Sequence, residues 1–140
     1  MTNPTSTSVG TEADVDLIVD RYIAVWSIPD MDERARAVAG LWAEDGTEFV
    51  EGVRFHGRQA LGERVAEAYR EFVATGLFEI AHDGQVTVHD DIVKFTIQLV
   101  HAQGEAKGDV AWAARVFLVL DGAGRIEQDY HVTVQPLPTA

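Results

Sequence analysis

The sequence predicts a two-layer α+β domain. Three observations carry that expectation: helix-period apolar stripes in the first half, strand-period alternation in the second, and short polar turns between the strands. The expected order is α-α-β-α-β-β-β-β, a twisted antiparallel meander with three helices packed on one face. At 140 residues the chain suits one domain, placed at residues 11–136 between a polar leader (1–10) and a short tail (137–140). A domain of this size buries roughly two-thirds of the surface its unfolded chain exposes, so a core alone can hold it.

Each element has its own signal. Val15, Ile18, Val19, Tyr22, Ile23 and Trp26 form one stripe of an amphipathic helix, with a capping-box pair at Thr11 and Asp14 and a stop at Pro29. A second helix begins near Asp30, carries Ala35, Val38, Leu41 and Trp42 on one side, and ends at a Glu44-Asp45-Gly46 turn. Residues 47–51 alternate as a short strand, and residues 52–57 read as a loop. The third helix, about residues 58–75, has Leu61, Val65, Ala68, Tyr69 and Phe72 as its stripe and Gly76 as its C′ residue. Residues 78–89 then alternate, with a bend at Asp83-Gly84. Residues 92–100 put Val93, Phe95, Ile97 and Leu99 on one face. Residues 109–120 are apolar on both faces, and the loop Asp121-Gly122-Ala123-Gly124 leads into a last strand at 125–134.

Composition bounds the chemistry. Cysteine is absent, which removes disulfides, thiolate ligands and thiol nucleophiles together. The five histidines show no metal-ligand spacing such as H-E-x-x-H, so no metal site is expected, and the chemistry expected below is cofactor-independent. With 23 acids against 11 bases, the formal charge of −12 is unsuited to nucleic acid or to an anionic membrane surface. The first residues lack a basic n-region and an apolar h-region, and no apolar run approaches the roughly 20 residues of a bilayer span. Cytoplasmic residence is therefore the expectation.

Several phrases carry a resemblance: Arg21-Tyr22-Ile23-Ala24-Val25-Trp26, Leu41-Trp42-Ala43-Glu44-Asp45-Gly46, Phe55-His56-Gly57-Arg58-Gln59-Ala60-Leu61 and Asp121-Gly122-Ala123-Gly124-Arg125-Ile126. In this order they resemble the nuclear-transport-factor-2-like superfamily, and the third phrase is similar to SnoaL-like domains in particular. The resemblance implies a cone-shaped curved antiparallel sheet with three helices on its concave face and a pocket between the first helix and the sheet. It places Tyr22 where ketosteroid isomerases keep an oxyanion-hole tyrosine and Glu51 near their general-base aspartate. Their second oxyanion acid would fall at Val116, which argues against steroid isomerisation. The Asp-Arg-Asp set of limonene epoxide hydrolases is incomplete here, because Arg115 is followed two residues later by Phe117. SnoaL-like cyclases place an acid on the final strand, as Asp129 is placed here.

Asp129 and His131 lie two apart, so they share a strand face with Glu127 and Thr133. Alternation alone also fits the reverse arrangement, in which Ile126, Tyr130, Val132 and Val134 form the core face. The resemblance turns Asp129 and His131 inward, where a carboxylate beside an imidazole makes an acid–base pair. Glu51 follows Phe49 on one face and is the second candidate acid, whereas Glu48 alternates to the other side and is expected in solvent. Tyr22 would hydrogen-bond a developing oxyanion. Trp26, Trp42, Phe49, Phe95 and Trp112 are expected as pocket wall, Ala114, Val116 and Leu118 line the face of Trp112, and His56 sits at the pocket mouth. His82, His89 and His101 are expected at the surface. The opposite face of the same strand carries Ala111, Ala113, Arg115, Phe117 and Val119, too apolar for water, so a homodimer through the convex sheet is expected.

The expected function is acid–base catalysis on a hydrophobic small molecule, and the resemblance implies cyclisation or isomerisation of a polyketide-type intermediate. An epoxide hydrolase of the limonene-epoxide-hydrolase type, or a non-catalytic small-molecule-binding domain, is the alternative.

Overall fold

A computed structural model describes residues 12–137; the expected leader, the Thr11 cap and the last three residues of the tail lie outside them. The elements are α1 (Glu12–Val25), α2 (Met31–Leu41), β1 (Trp42–Val50), β2 (Val53–His56), α3 (Gly57–Ala68), β3 (Phe78–His82), β4 (Thr87–His89), β5 (Ile92–His101), β6 (Val110–Leu120) and β7 (Ile126–Gln135). The seven strands form one curved sheet in the order β2-β1-β7-β6-β5-β3, with β4 also pairing β5. All pairings are antiparallel except β1 with β7, which is parallel. The three-helix α+β architecture is as expected, and the mixed sheet is a correction. A tight turn cannot join parallel neighbours, and β1 and β7, the first and last strands, are connected through β2, α3 and all the other strands.

Asp30 starts α2 as a side-chain cap, its carboxylate accepting the Glu33 backbone N–H at 2.8 Å. Helix α2 passes directly into β1 at Trp42, so Glu44-Asp45-Gly46 lies within the strand and is not a turn. The β1–β7 register slips between Trp42 and Thr47, the mark of a bulge. Gly46 permits it, since a Cβ there would stand 2.8 Å from the Ile126 carbonyl oxygen. Residues 52–57 are no loop: Glu51 (φ 47°) and Gly52 (φ 84°) form a two-residue hairpin turn into β2. Paired positive φ values are what a tight hairpin requires. Helix α3 gives way at Tyr69–Val73 to a π-helical turn, and the expected strand at 78–89 divides into β3 and β4 around Asp83-Gly84.

The core lies between the helices and the concave sheet face. Val15, Val19, Tyr22 and Val25 of α1 and Leu61 and Val65 of α3 pack with Val93, Phe95, Val116 and Leu118. The convex face is different: Phe49 stacks on Tyr130 at 4.6 Å, and Val132 and Val134 are 52% and 53% exposed.

Candidate functional site

On β7, Asp129 and His131 face Leu118 and Val116 of β6, both fully buried, so their side chains join the concave face. The parallel register of β1 places Glu48 beside Asp129. Glu48 and Asp129 are 0% exposed and His131 is 6% exposed. Tyr22, from the buried stripe of α1, donates its hydroxyl to Asp129 Oδ2 at 2.7 Å and also meets His131 Nε2. That ring nitrogen lies 3.1 Å from Asp129 Oδ1 and 3.2 Å from Glu48 Oε2. Arg64 of α3 donates Nε–H to Glu48 Oε1 at 3.1 Å. Two carboxylates, one imidazole, one phenol and one guanidinium thus converge from four elements.

The contacts from His131 to the two carboxylates are ion-pair distances without hydrogen-bond alignment. Among the described residues, Asp129 Oδ1, Glu48 Oε2 and His131 Nδ1 have no hydrogen-bond partner. Orphaned buried polar atoms cost on the order of 1–3 kcal/mol each, a strain that functional sites retain. Burial pushes the Glu48 carboxyl up, helped by Asp129 and opposed by His131 and Arg64. Burial alone would lower the His131 pKa, but Asp129 and then Glu48 outweigh it, so the ring holds its proton more tightly than a free histidine. Tyr22 is pushed up by burial and by the same two carboxylates, so it remains a neutral donor. Glu48, Asp129 and His131 each offer one ligand atom within 4.8 Å of the others, a donor set a divalent cation could use. Arg64 and Tyr22 already engage Glu48 and His131 Nε2, which suits a proton-transfer cluster better.

A cavity of about 200 Å³ opens beside the cluster. Its walls are mainly apolar, with Phe72, Ile80, Ile97, Leu99 and Trp112 among them, and its polar wall is Trp26, Arg64 and His131. Of the expected residues, His131, Trp26 and Trp112 therefore reach it, with Asp129 directly behind His131. Tyr22 does not line the cavity; its hydroxyl is engaged by Asp129 and His131, so it positions those groups.

Other expectations are corrected. Glu51 is exposed in the hairpin turn, where the Thr133 side chain and then the Thr133 backbone N–H, accepted at 3.2 Å, lower its pKa. The acid on β1 is Glu48, because Val50 ends the strand and the bulge resets which residues face inward. For the same reason Phe49 lies on the convex face against Tyr130. His56 is exposed, its Nδ1 2.7 Å from Thr47 Oγ1. Trp42, Phe95, Ala114, Val116 and Leu118 are packed into the core and do not line the cavity, so the space beside Ala114 is occupied. Ala111 and Ala113 are already buried within the subunit. His82 and His101 are half-buried at strand ends, and His89 is exposed.

Glu48 and Arg64 are the residues that sequence reasoning missed. The signal for Arg64 was present: it precedes Val65 and follows Leu61 by three, on the flank of the buried stripe. Glu48 had only the Asp45-Gly46 pair as a hint of the bulge.

Solved structures share this architecture. A candidate isomerase of the SnoaL-like family from Agrobacterium tumefaciens superposes with a TM-score of 0.73 at 20% identity, over 84% of this chain and 94% of that one. The chain has the nuclear-transport-factor-2-like fold. A candidate polyketide cyclase from Sinorhizobium meliloti matches with a TM-score of 0.61 at 18% identity, over 87% and 99% of the two chains. A protein with the ketosteroid isomerase-like fold from Catenulispora acidiphila, crystallised with trimethylamine, matches with a TM-score of 0.61 at 18% identity, over 81% and 82%. No family model and no curated protein matches the sequence. Among the described residues, no helix is long and apolar enough to cross a membrane.

Proposed function

We propose that this nuclear-transport-factor-2-like chain is an acid–base enzyme that isomerises or cyclises a hydrophobic carbonyl compound of polyketide type. One observation carries the reading: His131 lines an apolar cavity while two buried carboxylates and a tyrosine support it from behind. A neutral imidazole so placed takes a proton from a carbon next to a carbonyl, leaving an enolate. Asp129 and Glu48 stabilise the imidazolium that forms, which raises the basicity of the ring. In isomerisation that proton returns to another carbon of the enolate. In aldol cyclisation the enolate carbon attacks a second carbonyl, and the imidazolium protonates the resulting alkoxide. Phe72, Ile97, Leu99 and Trp112 keep water from the enolate and hold the substrate folded. The names of the structural neighbours from Agrobacterium tumefaciens and Sinorhizobium meliloti support this class of reaction.

The test needs no known substrate. Methyl ketones, β-diketones and aromatic β-keto acids are incubated with the protein in deuterium oxide, and α-proton exchange is followed by NMR. The expected result is exchange above the solvent rate for at least one class, lost in His131→Gln. If no compound exchanges faster than in buffer, the fold serves here as a binding domain.

We also propose that a second copy of the chain covers the convex face, where exposed Tyr130, Val132 and Val134 adjoin half-buried Phe117 and Val119.

A further inference from the structure

Beside the His131 base, the polar wall of the cavity consists of two donor-only side chains, Arg64 and Trp26. Arg64 spends Nε–H on Glu48, and its guanidinium makes no other hydrogen bond among the described residues. Two aromatic rings hold it, Trp26 at 5.4 Å and Phe55 at 5.3 Å from ring centroid to Cζ. A guanidinium clamped in this way keeps its remaining N–H groups in a fixed fork, and its side chain is only 22% exposed. The Trp26 indole N–H is buried and has no partner among the described residues. Tyr22, the other potential acceptor nearby, faces Asp129 and His131 and does not line the cavity. The other walls, Phe72, Ile80 and Leu99 among them, offer nothing polar.

We infer that Arg64 is the anchor for a carboxylate of the substrate, so that the pocket selects hydrophobic acids over their neutral analogues. The inference rests on reading this cavity as the substrate pocket. A carboxylate accepts two parallel N–H bonds from a guanidinium fork, a match that a ketone or an amide oxygen cannot reproduce. Geometry leaves the fork free: Glu48 takes only the Arg64 Nε–H, so the two terminal nitrogens of the guanidinium remain for the ligand. With the acid held at Arg64, the apolar body of the substrate lies along Phe72 and Leu99, and its reacting carbon meets the His131 ring. Arg64 would then be a substrate-binding residue that also sets orientation.

Binding of 2-naphthoic acid and of 2-naphthamide is compared by calorimetry on the unmodified chain, with the quenching of cavity-wall Trp26 and Trp112 as a second readout. The expected result is an affinity for the acid at least roughly tenfold above that for the amide, the margin of a charge-assisted pair. Arg64→Lys, which keeps the charge and loses the fork, narrows the margin. Because Arg64→Gln alone strands Glu48, the double variant Glu48→Gln with Arg64→Gln is used to abolish the margin. Equal affinities, a preference for the amide, or no binding of either compound overturns the inference. An acid preference without any α-proton exchange would sink the enzyme reading and leave the anion site standing. Exchange without the preference would do the reverse.

Discussion

His131 and Glu48 both bind their proton more tightly in the folded chain than a free side chain does. The base form of His131 therefore appears only above the ordinary histidine value of 6.5, and kcat/KM should rise with pH on the alkaline side of it. Glu48→Gln removes a charge that supports the imidazolium, so the same limb should move to lower pH; a limb that stays in place would show that Glu48 does not act on the ring. Stability follows from the same shifts. A raised folded pKa contributes fully below the unfolded value and is lost as pH climbs through the folded one. The melting temperature should thus fall as pH rises from about 4.5, first through Glu48 and then, above 6.5, through His131, the steps belonging to the coupled cluster. Melting curves of Glu48→Gln should lack the first part of that fall. Glu51→Gln is the contrasting case: exposed and 82 positions from its backbone partner Thr133, it should leave α-proton exchange within about twofold, well inside tenfold per 1.4 kcal/mol.

Strand β1 decides where the first-strand acid points. Its bulge depends on Gly46, whose added Cβ would meet backbone, the Ile126 carbonyl at 2.8 Å and the Ala43 carbonyl at 3.1 Å. Backbone cannot swing aside as a side-chain tip can. Gly46→Ala should therefore cost about 1–3 kcal/mol, read as a lower urea midpoint. It should also depress exchange, because Glu48 lies two residues along the same strand. Loss of stability with unchanged exchange would show that the bulge is structural only. At this scale much was legible in the residues. The α1 stripe, the α3 stripe and the β5 alternation predict the helices and strands observed, because one-sided burial writes a period into the chain. The β1 phase was not legible, since a single inserted residue inverts every position after it and leaves no periodic trace.

Across the whole molecule, the closed side of the sheet holds the chemistry and the open side holds exposed apolar surface. Val132 and Val134 on β7 lie beside the Phe49–Tyr130 stack, and Arg115 of β6 pairs in register with Val132. If a second copy covers this face, sedimentation should give a dimer, and Val132→Lys should shift it to monomer while leaving exchange measurable. A monomer in the unmodified chain at micromolar concentration would remove the dimer proposal. The mixed sheet also belongs to this scale. The parallel β1–β7 pairing links residues about 80 apart and brings Glu48 to Asp129.

By itself the sequence determined the α+β class, the three helices, the inward strand faces of β5 and β6, and the company of Asp129, His131 and Tyr22. The class, the helices and the strand faces follow from local periodicity, whereas the inward side of Asp129 and His131 followed only from the family resemblance, because alternation alone fitted the reverse face equally. Tertiary structure alone decided that Glu48 and not Glu51 completes the cluster, that Arg64 joins it from α3, and that Phe49 faces outward. Those outcomes depend on a bulge and on a parallel register between distant strands, and the free energy that sets them lies in contacts no local pattern encodes.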